Sequence, residues 1–129
     1  MIVIRETPVY ITREMCCDAG IDYNGEQFCY AALIERDICG YCIFKKIEDT
    51  AIILYATAPA ADILDGVVRA AIAGGEEKGA KYYDFDIPQS VAEKLLPLGF
   101  RKSVTDKPHS IEKLFSVCKG CAKKENQDG

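Results

Sequence analysis

Two Cys-x-x-Cys pairs, Cys39-Gly-Tyr-Cys42 and Cys118-Lys-Gly-Cys121, have the plainest chemical potential in this 129-residue chain. Paired motifs of this kind can close a tetrahedral thiolate site around zinc. The first pair falls in a β-rich run, where side chains three apart point to opposite faces. Its expected role is therefore that of buried small hydrophobes. In the second pair Gly120 allows the tight turn that a chelating knuckle needs, and Cys16-Cys17 could supply two further thiolates. Cys118 and Cys121 are thus the candidate metal ligands, set against the simpler expectation of idle thiols on a polar tail. Seven cysteines is an odd number, and nothing points to secretion, so reduced thiols are expected rather than a disulfide scaffold.

The carboxylates Glu48, Asp49, Asp84 and Asp86 lie near the ends of expected strands, where one of them could serve as a general base. Strand-end carboxylates are more often simply solvated. His109 follows Pro108 in a turn and is expected to be exposed.

These groups must be positioned by a small scaffold. A chain this long is one domain in size. With 49% hydrophobic and 28% charged residues it can build one core without a metal or disulfide. The net charge of −4 and scattered Lys and Arg argue against a nucleic-acid partner. Met1-Ile-Val-Ile runs at once into Arg5 and Glu6, unlike a signal peptide, and no apolar run approaches the ~20 residues of a membrane span. A cytoplasmic protein without a membrane partner is expected.

The elements can be placed in order. Ile2 to Ile4 suits a first strand. Thr7-Pro8 can open a helix running through Cys17 and stopping near Gly20, although the alternation in Val9 to Thr12 also permits a strand. Asn24-Gly25 signals a turn. Phe28 to Ile34 and Ile38 to Ile47 read as a hairpin joined by Glu35-Arg36-Asp37. After Glu48-Asp49-Thr50, the apolar run Ala51 to Tyr55 reads as a central strand buried on both faces. The clearest helix follows, with Ile63, Val67, Ala70 and Ala71 at helical spacing, Asp62 as N-cap and Gly79 as the stop. Gly74-Gly75 inside it costs ~1 kcal/mol per glycine relative to Ala, which implies close packing there. A strand at 81–87, a short helix at 90–96, Leu98-Gly99-Phe100 and two strands at 101–105 and 110–117 complete the order. Residues 1–117 form the expected domain, and 118–129 a cysteine-containing polar tail.

Glu77-Lys78-Gly79-Ala80 before a strand, Leu98-Gly99-Phe100 about twenty residues later, and Cys39-Gly40-Tyr41 heading a strand are phrases that occur in this order in the GCN5-related N-acetyltransferases (GNAT). Over residues 26 to 117 the chain resembles a divergent member of that superfamily. The resemblance implies an α/β (α+β) fold: a mixed, mostly antiparallel sheet flanked by helices, with the N-terminal helical region shortened to one helix. It also implies an acyl-CoA-dependent N-acyltransferase, using acetyl-CoA or another acyl-CoA and acting on a small-molecule or peptide amine. The residues that would line the donor site are Leu54, Tyr55, Ala56 and Thr57 on the strand and Ala61, Asp62 and Ile63 at the helix start. In the family that helix start offers backbone N–H groups to the CoA pyrophosphate, with a basic residue and spaced glycines. This chain has Thr57-Ala58-Pro59-Ala60-Ala61-Asp62, about three residues shorter and without either feature. Asp62 and Asp65 place two carboxylates where phosphates would sit. Leu95 stands where many members have an acidic Tyr. The same fold without catalysis, binding a ligand or a protein, is the first alternative. A thiol or zinc protein is the second.

Overall fold

The computed structural model describes residues 1–100 and 108–115. Its regular segments include β1 (Ile2–Glu6), α1 (Val9–Ala19), β2 (Gln27–Ile34), β3 (Asp37–Ile47), β4 (Thr50–Thr57), α2 (Ala61–Glu77), β5 (Tyr82–Phe85), α3 (Gln89–Leu95), a 3₁₀ turn (Leu96–Leu98) and β6 (His109–Ser110). The strands form one sheet in chain order, β1-β2-β3-β4-β5-β6. Only β4 and β5 are parallel; every other neighbouring pair is antiparallel. Parallel neighbours require a crossover, and α2 supplies it. No helix of the described residues is long and apolar enough to cross a membrane.

Helices cover both faces. On one, α2 buries Leu64, Val67, Val68, Ala71 and Ile72 against Phe44, Ala51 and Ile53. Each large aliphatic side chain so buried stabilises the fold by about 1.5–3 kcal/mol. The glycine pair permits this approach. A Cβ on Gly75 would stand 2.7 Å from the Cβ of Ala51, and one on Gly74 would strike the ring of Tyr30. On the other face α1 lays Cys16 over Cys29, Ala31, Tyr41 and Ile43.

α2 ends in a Schellman motif. Gly79, at φ 104°, donates to the Glu76 carbonyl, while the N–H of Ala80 reaches the Gly75 carbonyl. α1 closes the same way at Gly20 (φ 76°), with Ile21 N–H on the Cys16 carbonyl at 2.8 Å. Both expected stops are therefore correct. The expected N-cap is not: Ala60 occupies that position, without a side-chain bond, and Asp62 sits inside the first turn.

Several further expectations need correction. The hairpin loops are two residues long, Glu35-Arg36 and Glu48-Asp49, because Asp37 and Thr50 already pair in strands. Glu35 (φ 60°) and Glu48 (φ 54°) take the left-handed turn, at a cost of roughly 1–2 kcal/mol for a residue with a Cβ. β4 is buried on its α2 face alone; Ile52, Leu54 and Tyr55 keep partial exposure. In place of a strand over 110–117, residues 109–110 pair with β5 and residues 111–115 are helical. Ile111 is fully buried in the α2-side core, which a solvent-facing strand would not allow. His109 is half-buried and stacks on Tyr83 at 5.1 Å between ring centroids. The expected strand at 101–105 and the tail at 118–129 lie outside the described residues.

Candidate functional site

Two β-bulges decide which side chains share a face. In the β2–β3 ladder Ala32 pairs with Gly40 and Leu33 with Ile38, which leaves Cys39 as the extra residue. In the β3–β4 ladder Ile43 pairs with Tyr55 and Phe44 with Ile53, so that Leu54 is extra. A bulge sets two consecutive side chains on one side of a strand. Leu54 and Tyr55 consequently both pack on the α1 face, next to the point where β4 and β5 part.

That parting is sharp. β4 pairs with β5 only from Thr50 to Ile53, closed by the Asp86 N–H on the Ile53 carbonyl at 2.8 Å. From Leu54 to Thr57 β4 is paired, among the described residues, on its β3 side alone. The diverging strands open a cleft of about 480 Å³, walled by Gly20 and Ile21 after α1, by Leu54 and Tyr55 of β4, and by Asp86 and Ile87 after β5. Lys45 and the buried amide of Gln27 complete its polar lining. Gln27 is held there by its Oε1, which accepts the Asn24 N–H at 3.1 Å. Beside the cleft, the Tyr41 hydroxyl donates to Asp18 Oδ2 at 2.7 Å and its ring lies 5.9 Å from that of Tyr55. Burial, and then the adjacent carboxylate, push the Tyr41 hydroxyl far above the ordinary phenol range. It is a fixed donor rather than a titrating acid.

The end of β4 leads into the start of α2 over bare backbone. A Cβ on Gly40 would come within 2.9 Å of the Thr57 carbonyl oxygen and 3.0 Å of the Ala58 Cβ. Glycine at the head of β3 is thus required by the loop that crosses it. At the helix start, Asp62 Oδ1 accepts the Ile63 N–H at 2.9 Å. Asp65 lies a turn further, 3.1 Å from Arg69 Nε. The guanidinium of Arg69 also covers the Phe100 ring at 5.2 Å.

The expected donor-site residues divide accordingly. Leu54 and Tyr55 stand at the cleft. Ala56 is buried in the α2-side core. Thr57 is half-buried at the strand end, Ala61 and Asp62 are exposed at the start of α2, and Ile63 packs partly against the core. Of the candidate bases, only Asp86 faces the cleft. Asp84 Oδ1 is engaged by the Phe85 N–H at 2.8 Å, and the exposed Asp49 offers its backbone carbonyl to Lys81 and Tyr82. Glu48 is an exposed loop residue. Leu95 is 1% exposed in the core, so its position offers no acid. Lys45, Gln27 and the Gly20-Ile21 wall were not anticipated. Their convergence depends on strand register and on the course of α1, which local patterning does not encode.

The thiols make no metal centre among the described residues. The Cys39 bulge overturns the expectation that Cys39 and Cys42 point to opposite faces, since both pack toward the α2-side core. Cys39 is nevertheless spent on a 3.4 Å bond to the Ala32 carbonyl and Cys42 is fully buried. Cys16 is buried and its neighbour Cys17 exposed, so the two cannot chelate together. Cys118 and Cys121 lie outside the described residues.

No family model and no curated protein matches the sequence. The fold does match solved structures. A ribosomal-protein-alanine N-acetyltransferase from Brucella melitensis biovar Abortus 2308 aligns with a TM-score of 0.62 at 8% identity, covering 81% of this chain and 94% of that one. An aminoglycoside acetyltransferase from an uncultured soil metagenomic sample, in complex with sisomicin, gives 0.58 at 14% identity, with 82% and 90% covered. A predicted acetyltransferase from Clostridium acetobutylicum, with acetyl-CoA, gives 0.57 at 11% identity, with 88% and 98% covered. At these identities the likeness establishes the fold, which is that of the GCN5-related N-acetyltransferases.

Proposed function

We propose that this chain, built on the acetyltransferase fold, transfers an acyl group from a thioester such as acetyl-CoA to a small-molecule or peptide amine. The observation that carries this reading is the edge of β4 beyond Ile53, which no described strand pairs, opening on a cleft whose wall includes Asp86. An open strand edge offers amide donors and acceptors to an extended amide-bearing chain, and the arm of an acyl-CoA is such a chain. The fit to the rest of that donor is poor. The helix start offers neither a basic side chain nor glycines, and Asp62 already engages the Ile63 N–H.

In this reading the amine enters from the α1 side, between Tyr55 and Asp86. The Asp86 carboxylate holds the ammonium and takes its proton. The free amine then attacks the thioester carbonyl, polarised by backbone N–H groups of β4. Leu95, buried, supplies no acid; the C–S bond breaks as the amide forms, the nitrogen's remaining proton passes to solvent, and the thiolate leaves and takes its proton there. Other structures of this fold include one with an aminoglycoside bound and one with acetyl-CoA, which supports the choice of reactants.

The test is thiol release from millimolar acetyl-CoA with tyramine, spermidine and a lysine-containing peptide as acceptors. Release above hydrolysis, reduced about 100-fold or more in Asp86→Asn, is expected with at least one. The carboxylates at the start of α2 favour a second reading, a non-catalytic binding module. Absence of release with all three amines would overturn the transferase reading, and acetyl-CoA that shifts the amide resonances of residues 54–57 without release would favour the binding module.

A further inference from the structure

A second cavity lies at the opposite end of α1, remote from the cleft that its C-terminal end walls. It measures about 260 Å³, between the first turn of α1 (Pro8, Tyr10 and Ile11) and the sheet beneath. Its floor is apolar: Ala31 and Leu33 of β2 and Ile38 of β3. Its rim holds two exposed arginines, Arg5 and Arg36, beside Thr7 and Glu6, the last with its carboxylate drawn off to Lys78.

The register explains why positive charge collects here. Arg5 pairs directly with Ala31 and Glu6 with Tyr30, and directly opposed residues share a face. Ala31 belongs to the α1-side core and Tyr30 packs on the α2 side. Arg5 therefore projects beneath α1, while the Glu6 carboxylate turns away to the other face, where it meets Lys78 at 3.1 Å. Among the described residues, no carboxylate stands within salt-bridge distance of Arg5 or Arg36. In a chain of net charge −4, two arginines without a carboxylate salt-bridge partner line the same apolar hollow.

We propose that this cavity binds a small organic carboxylate with an apolar body. A guanidinium presents a planar fork of donors that matches a carboxylate, and the floor takes the hydrocarbon part. A hollow of about 260 Å³ has room for a single-ring or short-chain acid. The site shares no side chain with the cleft, so its occupation does not depend on acyl transfer.

Calorimetric titration of the whole protein with benzoate, benzamide and inorganic phosphate tests this. Benzoate should bind in the millimolar range or tighter, and benzamide and phosphate at least tenfold more weakly. Arg5→Gln and Arg36→Gln should each weaken benzoate tenfold or more while circular dichroism stays unchanged, and Arg5→Lys should weaken it less than Arg5→Gln. Phosphate binding as tight as benzoate would reduce the site to a bare anion patch and overturn the proposal. Absence of benzoate binding, or binding indifferent to both arginine substitutions, would do the same.

Discussion

The Oδ1 of Asp62 accepts the backbone N–H of Ile63 at 2.9 Å, within the first turn of α2. A phosphate approaching that turn meets an occupied donor and a carboxylate together. Acetyl-CoA should therefore bind with a dissociation constant on the order of 1 mM or weaker, no more than about 4 kcal/mol of binding free energy. Replacing Asp62 by Gly and Asp65 by Asn should tighten it, with most of the gain from Asp62, since Asp65 is already paired with Arg69. Calorimetry decides. Micromolar binding by the unmodified protein would mean that other groups hold the phosphates.

Gly75 and Gly66 both interrupt α2 and should respond oppositely to alanine. At Gly75 the new methyl meets the Ala51 Cβ, which is fixed to the β4 backbone. Overpacking of about 1–3 kcal/mol should outweigh the ~1 kcal/mol gained in helix propensity. At Gly66 the neighbour is the Cδ1 tip of Ile4, which can rotate away, so Gly66→Ala should be neutral or stabilising. Urea midpoints of the two variants measure the contrast, and a stabilised Gly75→Ala would refute the packing argument.

Stability should fall in alkali. Burial pushes the Cys29 thiol up to about 12, from 9.0 in the unfolded chain. Between these values the unfolded state has lost a proton that the folded state keeps. The Cys29 contribution is therefore complete below pH 9 and is lost as pH rises toward 12. At 1.36 kcal/mol per unit it amounts to about 1 kcal/mol by pH 10. Burial raises the Cys16 and Cys42 thiols as well, so denaturant unfolding at pH 8, 9 and 10 should show a combined slope, and Cys29→Ala should reduce it. An equal slope in the variant would assign the loss to other groups.

Native alkylation at pH 8 should label Cys17, which is exposed, and spare Cys16, Cys29 and Cys42, which are buried. Peptide mapping by mass spectrometry reads the pattern, and denaturant should equalise it. Rapid native labelling of Cys42 would be incompatible with its place in the α2-side core.

Much of this architecture is legible in the sequence because local signals and packing agree. The Schellman glycines, the turn residues and the 3.6-residue period of α2 each point to what forms. Gly74-Gly75 announces a close approach without naming Tyr30 and Ala51 as its partners. Strands β3 and β4 are legible by phrase, yet their geometry is not. An extra residue at Cys39 and another at Leu54 reverse the face alternation, and alternation is all that sequence periodicity offers in a strand. Two features fail for tertiary reasons. Asp62 has the side chain of an N-cap, but the chain enters the helix at Ala60. The β-rich appearance of 110–117 yields, over residues 111–115, to a helical turn that buries Ile111.

The crossing of Gly40 by the Thr57-Ala58 loop has a bearing on any attempt at redesign. Loop and strand head are seated backbone to backbone, so that the brevity of one and the bareness of the other form a single interlocked solution. Grafting a longer, glycine-bearing loop into 57–60 would first have to lift the present loop from β3. A longer insert has no such seat to occupy, and Gly40 would be left as an exposed flexible joint. A workable transplant would therefore exchange the strand head and the loop as one cassette.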